Sequence, residues 1–234
     1  MASDRAIFVA AGGTGGHLFP AEALSAELAA RGYPVELVTD TRALKFGANF
    51  PARAIHGVRA ATSTGGSIVS KALAAVQLGL GVIEARSLIG KAKPLCVVGF
   101  GGYPTVPPVL AASMLGVPTI LHEQNAVMGR ANRFMAKRVT RIATGFQALG
   151  GVAPALLAKT VHTGNPVRPA VIAAAQIPFP AADGSLRLLI TGGSQGARVM
   201  SDVVPAAIAL LSDEQRSRLA VTQQARGEDE GRVR

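Results

Sequence analysis

Ala10-Ala11-Gly12-Gly13-Thr14-Gly15-Gly16-His17 is the stretch on which the fold turns. The apolar run Ile7-Phe8-Val9 enters it and a helical pattern, Leu18 to Ala30, leaves it, so the order strand, glycine loop, helix is predicted. Four glycines leave most of the loop without side chains. Its backbone N–H groups can therefore approach a ligand closely, and the helix N-terminus favours negative charge. The dinucleotide fingerprint Gly-x-Gly-x-x-Gly is not met, because Leu18 stands where the third glycine belongs. A tight turn without a ligand stays open beside a phosphate site.

Outward from the loop, Val35 to Asp40 reads as the second strand of a βαβ start, with Pro20 in the first turn of the helix. Asp40 falls roughly where a dinucleotide fold places its ribose-binding acid, or it is a solvated strand end. Residues 41–70 carry no clear period, and Thr62 to Ser67 is a polar loop. Ile68 to Ile89 is helical in pattern, weakened by Gly79 and Gly81 and flanked by Lys71, Arg86, Lys91 and Lys93; it suits either a core-facing helix or an anionic bilayer surface. A buried strand, Pro94 to Val98, then runs into a second glycine turn, Gly99-Phe100-Gly101-Gly102-Tyr103, followed by a helix from Val106 to Leu115. The strand Val117 to Leu121 delivers His122-Glu123-Gln124-Asn125 at its carboxyl end, the edge where open parallel sheets bind ligands.

A basic helix with Arg130, Arg133, Lys137, Arg138 and Arg141 follows, and Val139 to Ala143 and Val161-His162 read as the last strands of a first domain, 1–163. Gly164-Asn165-Pro166-Val167-Arg168 reads as a hinge, and 176–184 as an irregular connection. The opening motif then returns as Leu188-Leu189-Ile190-Thr191-Gly192-Gly193-Ser194-Gln195-Gly196. Fewer than 50 residues follow Leu186, enough for one βαβ unit, so 164–234 is expected to be the start of an incomplete second domain. Its last stretch, Gln223 to Arg234, reads as a helix or tail.

The chain has 234 residues, 49% of them hydrophobic, and a net charge of +10. That charge is uneven, +9 over residues 1–165 and +1 over 166–234, so the first domain fits an anionic partner, or carries a solvated basic surface. A membrane surface fits better than nucleic acid, because only 4% of residues are aromatic and Trp is absent, leaving few stacking platforms. No segment is expected to reach the roughly 18 apolar residues of a spanning helix, and the N-terminus breaks into Gly-Gly too early for a signal peptide. The single cysteine, Cys96, reads as a core residue in a reducing compartment.

Two glycine loops, a His at a helix N-terminus and a His-Glu-Gln-Asn tetrad at a strand-end cleft suggest polar transfer chemistry without metal ligands or a cofactor. His17 can donate or accept a hydrogen bond there; His122 or Glu123 can act as a base. The motifs at Gly12 to His17, Gly99 to Tyr103, His122 to Asn125, Gly164 to Arg168 and Gly192 to Arg198 occur in the order of the MurG glycosyltransferases of peptidoglycan synthesis, and the chain resembles that family over essentially its whole length.

The resemblance implies an α/β fold of the GT-B type: twin Rossmann-like domains, the N-terminal parallel sheet complete and the second truncated. It implies inverting transfer of GlcNAc from UDP-GlcNAc to undecaprenyl-diphospho-MurNAc-pentapeptide, by a peripheral protein on the cytoplasmic face of the bacterial inner membrane. The basic first domain would hold the lipid-linked acceptor. By motif position Thr14, Gly15, Gly16, Asn125, Arg168 and Ser194 fall among the family's UDP-GlcNAc contacts, while Gly101, Gly102, Tyr103 and Gln195 lie in its other cleft motifs. His17, Glu123 and His122 are the candidates for proton transfer. The family's later nucleotide-binding segment has no counterpart in 1–234, so this chain alone is expected to transfer sugar poorly or not at all. An NAD-linked oxidoreductase and a non-catalytic membrane-binding module are the competing readings.

Overall fold

In the computed structural model the described residues are 4–40, 50–61, 67–181, 183–193 and 196–234. They form two compact units, Met1–Ala174 and Ala175–Arg234.

The first unit is a parallel sheet in the order β3-β2-β1-β4-β5-β6-β7. Its strands are β1 (Ile7–Ala10), β2 (Val35–Asp40), β3 (Ala54–Val58), β4 (Cys96–Gly99), β5 (Thr119–Glu123), β6 (Arg141–Thr144) and β7 (Thr160–His162). The helices are α1 (Gly15–Ala30), α2 (Ile68–Ala92), α3 (Val106–Met114), α4 (Arg130–Met135) and α5 (Pro169–Ala174). β1 is an interior strand, pairing Ile7 with Val35 on one side and with Cys96 on the other. Alternation along β1 builds two cores. Phe8 and Ala10 join Val97, Leu121 and Ile142 on one face, whereas Ile7, Val9 and Ala11 join Leu37 and Phe100 beside α1 on the other. Each large apolar side chain fully buried here contributes about 1.5–3 kcal/mol.

Three local differences from the sequence reading have physical causes. α1 begins at Gly15, inside the glycine loop, so Pro20 is its sixth residue rather than part of the first turn, and the helix lacks the N–H that Gly16's carbonyl would accept. β3 was not expected in the unpatterned region; it is an edge strand, and its residues are mostly half-buried rather than sharply alternating. α2 runs to Ala92 and is long and apolar enough to cross a bilayer by length and composition, with mean hydropathy 1.5, which corrects the expectation that no segment qualifies. Its glycines, serines and alanines blur an apolar run that holds only when averaged. In the fold its buried Ala85 and Ile89 pack in the core with α3, while Ile68, Val69, Leu73, Val76 and Ile83 are exposed.

The second unit contains β8 (Leu186–Ile190), α6 (Arg198–Ala209), α7 (Asp213–Ser217), β9 (Leu219–Gln223) and α8 (Glu230–Val233). β8 and β9 pair in parallel, Ile190 opposite Gln223, giving the single βαβ unit that the length allows. Of the stretch read as a helix or tail, Gln223 closes β9 and Glu230–Val233 forms the helix α8. The fold class is the expected α/β, with a seven-stranded parallel sheet in the first unit and two strands in the second.

Candidate functional site

The chain reverses its direction of winding between β1 and β4, and the loops after these strands diverge there to open a crevice at the carboxyl edge of the sheet. The first loop is seated by Gly12, where a Cβ would lie 2.8 Å from Thr39 Oγ1 and 3.1 Å from Pro104 Cβ. Gly13 has φ +85, Thr14 is the extended N-cap of α1, and Gly15 and Gly16 form its first turn. In the second loop Gly101 and Gly102 have φ +85 and +74. A Cβ on Gly102 would stand 3.1 Å from His17 Cδ2, and one on Gly101 3.3 Å from His17 Cε1, so two bare glycines make room for the imidazole.

His17, Gly101, Gly102, Tyr103, Glu123 and Asn125 line one cavity of about 550 Å³ together with Leu78, Gly129, Arg130, Asn132 and Phe134. That volume suits a small-molecule or headgroup-sized ligand. Tyr103 Oη donates to Asp40 Oδ2 at 3.2 Å, and Asp40 is 3% exposed. Asp40 is thus buried against Tyr103 and is not a solvated strand end.

His122 and Glu123 belong to β5 itself. The Glu123 carboxylate is buried and fully engaged: Oε1 accepts from Asn125 N at 3.0 Å and Asn125 Nδ2 at 2.9 Å, Oε2 from Gly129 N at 2.9 Å and Asn132 Nδ2 at 2.8 Å. These four bonds hold the 124–132 segment against the strand end. His122 stacks on Phe100 with ring centroids 5.3 Å apart, and its Nε2 lies 3.0 Å from the Gly164 carbonyl. Burial pushes the His122 imidazole below the usual histidine range, against the opposing pulls of the Gly164 carbonyl and Glu123. Gln124 lies between the histidines, with Oε1 3.1 Å from His17 Nδ1 and Nε2 3.0 Å from His122 Nδ1.

Arg168 lies away from this cavity: its guanidinium sits 3.9 Å over the Phe19 ring, and Nη1 is 4.0 Å from Glu22 Oε2 on α1. Ser194 and Gln195 lie outside the described residues. Around them, Gly193 and Gly196 have φ +80 and +75, and Gln224 Oε1 accepts from Gly192 N and Thr191 Oγ1. Asn132, missed in the sequence, is 2% exposed, and its Oδ1 has no hydrogen-bond partner among the described residues. Its signal was weak, one polar residue in a short basic helix. No group of three or more His, Cys, Asp or Glu is placed to hold a metal ion among the described residues.

A family model, the glycosyltransferase family 28 N-terminal domain, matches residues 7–144, which run from β1 through the crevice to the end of β6. The chain belongs to glycosyltransferase family 28.

It is similar to the UDP-N-acetylglucosamine–N-acetylmuramyl-(pentapeptide) pyrophosphoryl-undecaprenol N-acetylglucosamine transferase of Allorhizobium ampelinum. The two are 58% identical over 97% of this chain and 61% of that protein. The transferase of the same name from Rhodopseudomonas palustris is 56% identical over 100% of this chain and 64% of its own length. The chain therefore spans a little over three fifths of the relatives it matches. Among solved structures it resembles MurG of Acinetobacter baumannii, with TM-score 0.67 and 25% identity over 98% of this chain and 68% of that one. It shares a fold with the UDP-GlcNAc 2-epimerase of Neisseria meningitidis, with TM-score 0.62 and 14% identity over 97% of this chain and 67% of that one. Nothing in these matches supports the oxidoreductase reading.

Proposed function

We propose that this chain supplies the acceptor-side part of an inverting N-acetylglucosaminyltransferase that moves GlcNAc from UDP-GlcNAc to the muramoyl sugar of undecaprenyl-diphospho-MurNAc-pentapeptide. The observation that carries this reading is His17. It stands at the N-terminus of α1 in the crevice, it lines the cavity, and its Nε2 has no hydrogen-bond partner among the described residues. In the reaction the acceptor hydroxyl oxygen bonds to the anomeric carbon as the bond from that carbon to UDP breaks. UDP departs with the bonding pair, and the hydroxyl proton passes to His17 Nε2. His17 fits this role better than Glu123, whose two oxygens already accept four hydrogen bonds.

The glycine loops offer backbone N–H groups to a diphosphate, and Arg130 on the cavity rim adds a charge for it. Thr14, Gly15, Gly16, Asn125, Arg168 and Ser194 are assigned to UDP-GlcNAc, with Arg168 and the Ser194 loop compensating charge on the departing diphosphate. The exposed apolar residues of α2, flanked by Lys71, Arg86, Lys91 and Lys93, suit an anionic membrane on the cytoplasmic side. Co-sedimentation with anionic but not neutral vesicles is expected; sedimentation with neither would remove the membrane assignment.

The decisive experiment titrates the chain with a soluble diphospho-MurNAc acceptor analogue while amide and histidine resonances are followed. Shifts at His17, Gly102 and Asn132 are expected, and NAD is expected to leave them unmoved. The opposite result would sink the assignment. Because the chain spans only part of its relatives' length, turnover by 1–234 alone is expected to be weak or absent.

A further inference from the structure

We infer that Gln124 is a positioning residue that fixes the proton of His17 on Nδ1 and leaves Nε2 bare toward the cavity, acting through a chain of hydrogen bonds anchored on two backbone carbonyls. The inference rests on the assignment of His17 as the proton acceptor and adds how that nitrogen is kept ready.

The logic follows from which atoms can only accept. Gln124 Nε2 lies 2.9 Å from the carbonyl oxygen of His122, its own neighbour but one. A carbonyl cannot donate, so the amide nitrogen must face it, and the orientation of the Gln124 amide is set without reference to either histidine. Gln124 Oε1 then points at His17 Nδ1, 3.1 Å away, and an amide oxygen accepts only. His17 Nδ1 must carry hydrogen, and in the neutral ring Nε2 is left with its lone pair.

The other end is fixed in the same way. The Gly164 carbonyl, 3.0 Å from His122 Nε2, requires a proton on that nitrogen. In neutral His122 the Nδ1 lone pair then accepts from Gln124 Nε2, 3.0 Å away, so the second amide hydrogen is used as well. Burial favours the neutral form of His122 that this pattern needs. Stacking on Phe100 holds its ring plane, and the His17 ring occupies the space that a Cβ on Gly101 or Gly102 would crowd. Two histidines 105 positions apart thereby hold opposite tautomers, His17 through Gln124 and His122 through the Gly164 carbonyl, with one glutamine amide joining them. The path also ties the base to the Gly164 turn that follows β7.

The test is long-range proton–nitrogen NMR of the four histidines in the uniformly labelled 1–234 chain at about pH 8, above the ordinary histidine range. Single histidine replacements supply the assignments. In the wild type His17 is expected to show a protonated Nδ1 and a bare Nε2, and His122 the reverse. Gln124→Met is expected to let His17 relax to the Nε2–H form that free histidine favours in water, while His122 keeps its Nε2 proton on Gly164. Gln124→Glu still accepts from His17 and is expected to preserve the Nδ1–H form there, with only His122 changing.

A wild-type His17 protonated on Nε2 would overturn the inference, as would a His17 pattern unmoved in folded Gln124→Met. If Gln124→Met fails to fold, loss of the Nδ1–H form in Gln124→Glu has the same force. This readout is separate from the functional one. Failure to bind the acceptor analogue with the tautomers as stated would sink the functional assignment and leave the relay standing.

Discussion

Glu123 Oε2 accepts a hydrogen bond from Asn132 Nδ2 at 2.8 Å, and the two residues are 1% and 2% exposed. A buried carboxylate is costly unless its lone pairs are filled, and here the turn after β5 and the start of α4 fill them together. Glu123→Gln puts an amide donor against one pair of these N–H groups. The variant is expected to lose about 2–3 kcal/mol of stability, read as a lower denaturation midpoint, and to loosen Asn125 and Gly129 in amide exchange. An unchanged midpoint would show that the carboxylate is not what holds the segment.

A crevice glycine and one before β5 separate two costs that are usually mixed. Gly102 and Gly116 have similar φ, +74 and +70, but a Cβ on Gly102 meets the His17 ring whereas one on Gly116 meets nothing within 4 Å. Gly116→Ala is expected to lose about 1–2 kcal/mol from its positive φ, and Gly102→Ala about 1–3 kcal/mol, because φ +74 with ψ 163 is a region essentially reserved for glycine. Only Gly102→Ala should also shift the His17 resonances and weaken binding of the acceptor analogue. Equal behaviour of the two variants in the His17 spectrum would argue against the close fit of ring and loop.

Gly79 and Gly81 look alike in the sequence and are expected to respond with opposite sign. Gly79 has open space around it, and alanine there should add about 0.5–1 kcal/mol through reduced chain entropy. A Cβ on Gly81 would lie 1.9 Å from the Arg59 carbonyl oxygen and 3.2 Å from Pro107 Cγ. Gly81→Ala is therefore expected to destabilise by about 2–3 kcal/mol through overpacking. Thermal melts of the two variants decide it; stabilisation by both would mean that α2 does not approach Arg59 so closely.

Acid is expected to weaken the fold in two separate steps. His122 has its pKa lowered by burial, so the unfolded chain binds the proton more readily. The resulting stability is present above the ordinary value of 6.5 and is lost as pH falls from there toward the folded value. For Glu36, desolvation pushes upward, but hydrogen bonds from His56 at 2.6 Å and Arg53 at 2.9 Å outweigh it and the net shift is downward. Its contribution is present above the ordinary value of 4.5 and disappears as pH falls through the folded value. Denaturation midpoints against pH should show both limbs. His122→Gln should flatten the first and Glu36→Gln the second, and a limb that survives its own substitution belongs to another group.

How far the site was legible depends on the range of the signal. The loop at Gly12 to His17 and the turn at Gly99 to Tyr103 stand out because a glycine cluster directly after an apolar run marks the point where a buried strand ends and the backbone must turn. Asn132 and the role of Gln124 did not stand out. One polar residue in a short basic helix has no local signature, and a glutamine beside a histidine says nothing of which atoms it faces. β3 escaped for a related reason, since Ala54, Ile55 and His56 are all half-buried and leave no clean alternation.

The sequence by itself determined the order of strands, loops and helices, the return of the glycine motif at Gly192, and the resemblance that the family match bears out, because each is carried by neighbours along the chain. Only the tertiary structure decided that Asp40 is buried on Tyr103, that Gly81 admits the Arg59 carbonyl, and that His17 and His122 meet through one glutamine amide. Those relationships join residues from 22 to 105 positions apart. The parallel sheet creates the first and the last by gathering the ends of β1, β2, β4 and β5 at one edge, and the packing of α2 beyond β3 creates the second; that proximity is set by packing and hydrogen-bond direction, which no local pattern encodes.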